Sequence, residues 1–224
     1  PQNCKEKDVM TRLWVHESMR VFHDRLINVE DKDYYKKMCS EVVKKNFPGG
    51  PDYADLFEDR NIIFGDFLEM GVEMEDRVYK EVLDLAKMVK LMEDYLEEYN
   101  FSSTNAMQLV FFMDAAEHAT RIARILRQPR GNAMLVGVGG SGKQSLTRFA
   151  SHMAGFKCFS IELTRGYGIN EFREDLKSLY VQTGINGTPT VFLFTDTQIV
   201  TEGFVEDINN ILNSGEVPAL FAQD

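Results

Sequence analysis

Apolar residues change their rhythm near the middle of the chain. Up to about residue 126 they recur at helical spacing, and from Asn132 onward short apolar runs alternate with helical stretches. Residues Asp8 to about Asn46 predict two helices, the first carrying Trp14, Val21 and Arg25 on one face and the second running from about Asp33 to Lys45. The second must stop before Phe47-Pro48-Gly49-Gly50-Pro51, the strongest helix breaker in the chain. Val78, Val82, Leu85, Val89, Met92 and Leu96 follow one another at spacings of 4, 3, 4, 3 and 4, which predicts a long amphipathic helix over 77–99. Six such positions are too few for a coiled coil and fit packing on a neighbour. A further helix is expected over about 105–126, ending before Pro129-Arg130-Gly131. Beyond it, strands at 132–137, 157–163 and 189–195 alternate with helices near 142–154, 169–183 and 203–213. That alternation signals a parallel sheet with helical crossovers. The expected fold class is therefore α/β, a parallel-sheet core preceded by a helical subdomain and linking helices. The expected division is a helical subdomain over 1–50, an acidic linking region over 51–104 and a sheet domain over 105–224.

Composition narrows the function classes. With 224 residues, 44% of them hydrophobic and 27% charged, the chain has ample material for a core. No apolar run approaches the ~20 residues of a membrane span, and the polar start from Pro1 to Asp8 is no signal peptide. A membrane is thus not an expected partner. The net charge of −10 is all carried between residues 51 and 100, where 15 acidic side chains face 5 basic ones. The remainder balances, and without a basic stripe to displace counterions nucleic acid is excluded as a partner. Cys4, Cys39 and Cys158 are odd in number and far apart, which argues for a reducing compartment over a disulfide framework. His16, His23, His118 and His152 lack the spacing that holds zinc.

The candidate chemistry lies at the change of rhythm. Asn132-Ala133-Met134-Leu135-Val136 leads into Gly137-Val138-Gly139-Gly140-Ser141-Gly142-Lys143, and Gln144-Ser145-Leu146 open a helix. Glycines let a backbone curl so that successive N–H groups converge on anionic oxygens. The helix adds its positive end, and Lys143 adds a full charge for β/γ-phosphates. In the common phosphate-loop pattern a hydroxyl follows the lysine and ligates magnesium. Here that residue is Gln144, whose longer amide would place a metal ligand differently, and Ser145 sits roughly 100° further around the helix.

A second element follows 53 residues after Lys143, where Val191-Phe192-Leu193-Phe194-Thr195 end at Asp196. An acidic residue at the carboxyl end of a buried strand can orient magnesium and its waters, or can simply cap the next turn. Where ring-forming ATPases usually follow with a glutamate, this chain has Thr197, whose hydroxyl cannot act as a general base near neutrality. Such a base is typically worth ~10²–10⁴ in rate. No Asn-Lys-x-Asp guanine reader and no arginine-rich lid of a small-molecule kinase occurs. The pattern is that of a site that holds nucleotide more than it cleaves it.

These residues carry a resemblance. Gly137 to Arg148, Phe192-Leu193-Phe194-Thr195-Asp196-Thr197-Gln198-Ile199 and Glu206 to Pro218 are similar to the fourth AAA+ module of axonemal dynein heavy chains, nearest the single-headed inner-arm type. Upstream, Leu13-Trp14-Val15-His16-Glu17, Arg20-Val21-Phe22 and Asp24-Arg25-Leu26 resemble the small helical subdomain that closes the third module. The resemblance covers nearly the whole chain. It implies a partial AAA+ parallel-sheet core within a ring of linked modules, in a microtubule motor of the cytoplasmic cytoskeleton that drives ciliary and flagellar beating. Implied partners are neighbouring AAA+ modules of the same heavy chain, dynein intermediate and light chains, other axonemal proteins, and microtubules reached through other parts of the motor. Implied cofactors are ATP or ADP, with or without Mg2+. By the same resemblance Gly137, Val138, Gly139, Gly140, Ser141 and Gly142 wrap the phosphates, Lys143 meets the β/γ oxygens, and Gln144 and Ser145 adjoin them. Asp196 would meet the metal. Leu109, Val110 and Phe111 fit either adenine packing or the core at a helix start, and Arg20 fits either nucleotide sensing or a salt bridge to Glu17 or Asp24. No catalytic residue is assigned. Three readings stay open: a regulatory nucleotide-binding module with weak or absent hydrolysis, a structural ring module with a vestigial loop, and an active ATPase with an atypical base.

Overall fold

The computed structural model describes residues 5–59 and 61–221, so Cys4 and the first positions of the chain lie outside the described residues. Two compact units divide the chain, Pro1–Arg124 and Ile125–Asp224.

The first unit opens with α1 (Lys7–Ser18), which passes into a π-helical turn at Met19–His23. Thr11, Val15 and His16 of α1 are buried, while Trp14 and, in the turn, Val21 are exposed. The expected apolar face through Trp14, Val21 and Arg25 is therefore not the packed one. Helix α2 spans Val29–Asn46, starting earlier than the expected Asp33; Glu30 and Asp31 lie in its first turn and Lys44 and Lys45 in its last. That distribution complements the helix dipole. Beyond the Pro48-Gly49-Gly50 break, α3 (Tyr53–Phe57) is closed by a reciprocal cap: the Asp55 N–H donates to Asp52 at 3.0 Å and the Asp52 N–H donates to Asp55 at 3.1 Å. Val15, Tyr35, Cys39 and Val43 pack with Leu56, Ile62 and Phe64 into one apolar core.

The long helix expected over 77–99 forms only from Leu85, as α4 (Leu85–Ser102). Asp84 sets its start by accepting the Lys87 N–H at 3.0 Å. Upstream, β2 (Lys80–Glu81) pairs antiparallel with β1 (Phe64–Gly65), and the Val82 N–H continues the pairing to the Ile63 carbonyl at 2.9 Å. Val78 and Val82, counted into the helical stripe, thus belong to extended chain. The helix buries Met88, Met92 and Tyr95 instead of the full expected row. The next helix, α5 (Met113–Arg127), begins eight residues later than expected. The Asn100 side chain accounts for the delay: its amide donates to the Met107 carbonyl at 2.9 Å and accepts the Met107 N–H at 2.7 Å, holding that segment out of the helix.

The second unit is α/β. Helix α6 (Lys143–Met153), β3 (Lys157–Phe159), α7 (Ile169–Tyr180), β4 (Thr190–Phe192) and α8 (Glu202–Asn213) alternate in the expected order, but the strands expected over 157–163 and 189–195 form for three residues each and α7 gives way to a π-helical turn at Val181–Ile185. Strands β3 and β4 are parallel, with Cys158 opposite Val191 and Phe159 opposite Phe192. Phe159, Phe192 and Phe194 join the core of Ile161, Phe172, Leu176, Phe204, Val217 and Leu220, and Phe172 stacks on Phe204 at 4.2 Å. Arg173 of α7 makes a two-pronged ion pair with Asp207 of α8 at 2.9 and 3.0 Å, and Asp207 is only 2% exposed. The strand expected over 132–137 does not form. A strand is held by its neighbours' hydrogen bonds; among the described residues β3 and β4 pair only with each other, and Met134 and Val136 stand 91% and 84% exposed. No helix among the described residues is long and apolar enough to cross a membrane.

Candidate functional site

The glycine loop is built around two left-handed residues. Gly140 and Gly142 both have φ of 77°, a region open to glycine and strained for side-chain-bearing residues. The sharp turn delivers Lys143 as the first residue of α6, whose N-cap, Gly142, has no side chain to occupy the leading N–H groups. Those donors and the helix dipole face the loop with positive potential. A methyl group built on Gly139, Gly140 or Gly142 would meet no atom within 4 Å, so the loop rim is open. The Lys143 ammonium folds over this rim. It donates to the carbonyls of Gly137 and Val138, both at 2.8 Å, and to the Ser141 hydroxyl at 3.3 Å. Inside the helix the Thr147 hydroxyl donates to the Lys143 carbonyl at 2.8 Å, and the buried Ser151 hydroxyl to the Thr147 carbonyl at 2.7 Å. Gln144 is exposed and Ser145 half-buried.

Asp196 lies at the end of the segment leaving β4, as the first residue of a single 3-10 turn (Asp196–Gln198), and its side chain is exposed. Thr195 is the extended N-cap, with its hydroxyl 3.0 Å from that of Thr197. Gln198 closes the turn. Its carbonyl oxygen accepts the Thr195 N–H at 2.8 Å, and its amide donates to the Ser160 hydroxyl at 3.1 Å and the Ile161 carbonyl at 2.7 Å. Among the described residues no ion pair or hydrogen bond joins Lys143 to Asp196, so the structure forms the two halves of the candidate site separately. Sequence reading passed over Gln198; only the geometry of its amide singles it out.

Val110 is 82% exposed, its carbonyl accepting the Phe112 N–H at 3.2 Å, and Phe111 beside it is buried; neither begins a helix. They belong to the first unit, whereas the glycine loop belongs to the second. Arg20 pairs with Asp24, its Nε 2.7 Å from Oδ2 but poorly aligned, while Nη2 donates to Oδ1 at 3.2 Å. Of the two uses open to it, the salt bridge is the one formed. Around it runs a wider network. The Arg124 guanidinium donates to Glu17, with Nε at 2.9 Å; Tyr79 donates to Glu17 at 3.0 Å; and Arg121 lies 3.1 Å from Glu117 and 3.6 Å from Asp24. Buried His16 lies with Nδ1 3.0 Å from the Ile62 carbonyl and Nε2 3.2 Å from the Tyr79 hydroxyl. Burial lowers the His16 pKa to about 4, so the ring is neutral and Nδ1–H donates to Ile62. Burial alone would raise the Glu17 pKa, but the Arg124 contact outweighs it and the carboxyl is held below its ordinary value.

The donor set suits a phosphate ligand at the loop: left-handed glycines, leading helix N–H groups and one ammonium without a carboxylate partner. An open groove of about 640 Å³ beside it in the sequence, lined by Ser160, Glu162, Tyr167, Glu171, Glu174 and Asp175, is acidic and does not include the loop. Among the described residues no three His, Cys, Asp or Glu side chains gather around a metal position. Magnesium at such a site would take one carboxylate and fill its remaining positions with ligand oxygens and water, which Asp196 alone can satisfy.

Comparison with known proteins adds the lineage. Residues 107–224 match the family model described as the P-loop containing dynein motor region D4, and residues 3–58 match the AAA+ lid domain. The chain is 53% identical over 224 residues to human dynein axonemal heavy chain 6 and 47% identical over 224 residues to human dynein axonemal heavy chain 10. It is 47% identical over 222 residues to the dynein-1-beta heavy chain of the flagellar inner arm I1 complex from Chlamydomonas reinhardtii. The matches cover 97–100% of this chain and 5% of each relative's length.

Proposed function

The chain belongs to the axonemal dynein heavy chain family, and from that premise we propose that residues 137–145 hold ATP or ADP as a regulatory nucleotide module with weak or absent hydrolysis. The observation that carries this reading is the presentation of Lys143 at the first residue of α6 by the left-handed pair Gly140 and Gly142. Gly137, Val138, Gly139 and Ser141 complete the loop, and Gln144 and Ser145 line the helix start beside it. Magnesium, when bound with the nucleotide, would supply charge neutralisation of the phosphates, with Asp196 as its protein ligand. Two residues argue for holding over cleaving: exposed Gln144 replaces the usual metal-binding hydroxyl, and Thr197 follows Asp196 without the basicity to take a proton from water. Val110 stays a candidate adenine contact on the same resemblance, its side chain 82% exposed.

The surrounding assignments follow from the same family. Residues 1–50 read as the small helical subdomain of a preceding AAA+ module, 51–104 as an acidic linking region and 105–224 as the sheet subdomain of the next. The parent motor would act on microtubules in the cytoskeleton of the ciliary or flagellar axoneme, together with neighbouring AAA+ modules and other axonemal proteins. Binding of labelled ADP and ATP to the intact protein tests the reading through a Lys143→Ala variant. Loss of two charge-assisted phosphate bonds should weaken one nucleotide site by about 10- to 100-fold. If no nucleotide binding depends on Lys143, the loop is structural; if, in a ring whose other sites are disabled, Lys143→Ala removes a measurable phosphate-release rate, the site is an active ATPase.

A further inference from the structure

Gln198 is the side chain best placed to control Asp196. The 3-10 turn that begins at Asp196 is a single turn, and such turns are weakly held by their own backbone. Here the backbone supplies bonds from the Gln198 N–H to the Thr195 carbonyl at 2.9 Å and from the Ile199 N–H to the Asp196 carbonyl at 3.2 Å. The Gln198 amide adds three more. Its acceptor takes the Thr195 N–H, and its NH2 group reaches both Ser160 and Ile161. Thr195 immediately precedes Asp196, and Ser160 and Ile161 immediately follow β3. One amide thereby ties the carboxyl ends of both parallel strands to the turn that bears the exposed carboxylate. Only an amide offers an acceptor on one atom and two donors on the other. Glutamate would lose the donors, and methionine, of similar shape, would lose all three bonds.

We propose that Gln198 is a positioning residue that fixes the direction of the Asp196 carboxylate toward a magnesium ion carried in by the nucleotide. The proposal rests on the nucleotide-holding reading of residues 137–145. Partners that orient a metal ligand typically influence metal affinity by ~10- to 100-fold. The test measures ADP affinity of the intact protein with Mg2+ and with EDTA, counting only binding that Lys143→Ala abolishes. Gln198→Met should reduce the gain conferred by Mg2+ by about tenfold or more and leave the affinity in EDTA unchanged. Asp196→Asn should remove the same gain, with the double variant no worse than Asp196→Asn alone, because the two act as one unit. Without ligand, the Thr195 amide should exchange its hydrogen faster in Gln198→Met. An undiminished Mg2+ gain in Gln198→Met overturns the proposal, as does equal weakening in Mg2+ and EDTA, which marks a merely structural role. Wild-type ADP binding that depends on Lys143 but gains nothing from Mg2+ also overturns it. Absence of any Lys143-dependent binding overturns the nucleotide reading beneath it.

Discussion

The charged network of the first unit and the glycine loop of the second treat charge in opposite ways, although the second unit also holds the matched Arg173–Asp207 pair. In the first, Glu17, Asp24 and Glu117 face Arg20, Arg121 and Arg124 in an ion-pair network that reaches across positions up to 107 residues apart, with His16 and Tyr79 threaded between them and the Nε atoms of Arg20 and Arg121 left without a well-aligned acceptor. In the second, the one cation of the glycine loop has no carboxylate at all and rests on main-chain carbonyls at an open rim. A network of paired opposite charges holds a structure in one arrangement, whereas an ammonium balanced only by neutral dipoles retains its full charge for an incoming anion. The contrast separates residues that support the fold from residues free to bind.

Acid should break the first unit before the second. His16 has an ordinary pKa of 6.5 and a folded value of about 4, so between those values only the unfolded chain takes up the proton. The stabilisation is complete above pH 6.5 and falls away toward pH 4, amounting to about 3 kcal/mol. The depressed Glu17 carboxyl loses its contribution further into acid, in the same direction. Fluorescence of Trp14, the single tryptophan, in denaturant titrations at pH 7 and pH 4.5 should report the loss, and His16→Asn should flatten it. A pH-independent midpoint would contradict the neutral, buried His16. Next in size, Glu17→Ala leaves the Arg124 guanidinium and the Tyr79 hydroxyl without their shared acceptor. It should cost about 2–3 kcal/mol of first-unit stability, less than for a fully buried pair, while leaving Lys143-dependent nucleotide binding unchanged. Coupled loss of both would erase the distinction between the units. The smallest effect is expected in the loop itself. A methyl on Gly142 meets no neighbour, so Gly142→Ala should cost only the left-handed strain, about 1 kcal/mol, in ligand-free thermal melts of the second unit.

Local signals carried most of what the sequence told. The glycine run, the lysine at a helix start and the alternation of β3, α7, β4 and α8 each depend on residues within a few positions, and the structure forms all of them. The misreadings arise where a distant or unexpected partner decides. Val78 and Val82 match a helical period, yet the Asp84 cap and the pairing of β2 with β1 claim that stretch. Residues 105–112 look helical until Asn100 ties down Met107. The apolar run at 132–137 has strand composition, but composition cannot supply the hydrogen-bonding neighbour that makes a strand. Of the candidate site, Lys143 and its glycines were legible as a motif, and Asp196 as a strand-end acid. The Gln198 amide was not, because glutamine after a turn looks like any polar surface residue until its three bonds are seen.

The self-contact of Lys143 has a quantitative consequence for selectivity. An ammonium already hydrated, in effect, by Gly137 and Val138 exchanges partners when an anion arrives instead of gaining its first ones. Bond number changes little in that exchange, and the formal charge of the newcomer decides the balance. Triphosphate, diphosphate and monophosphate should then rank in that order, with the spacing between them shrinking as ionic strength rises.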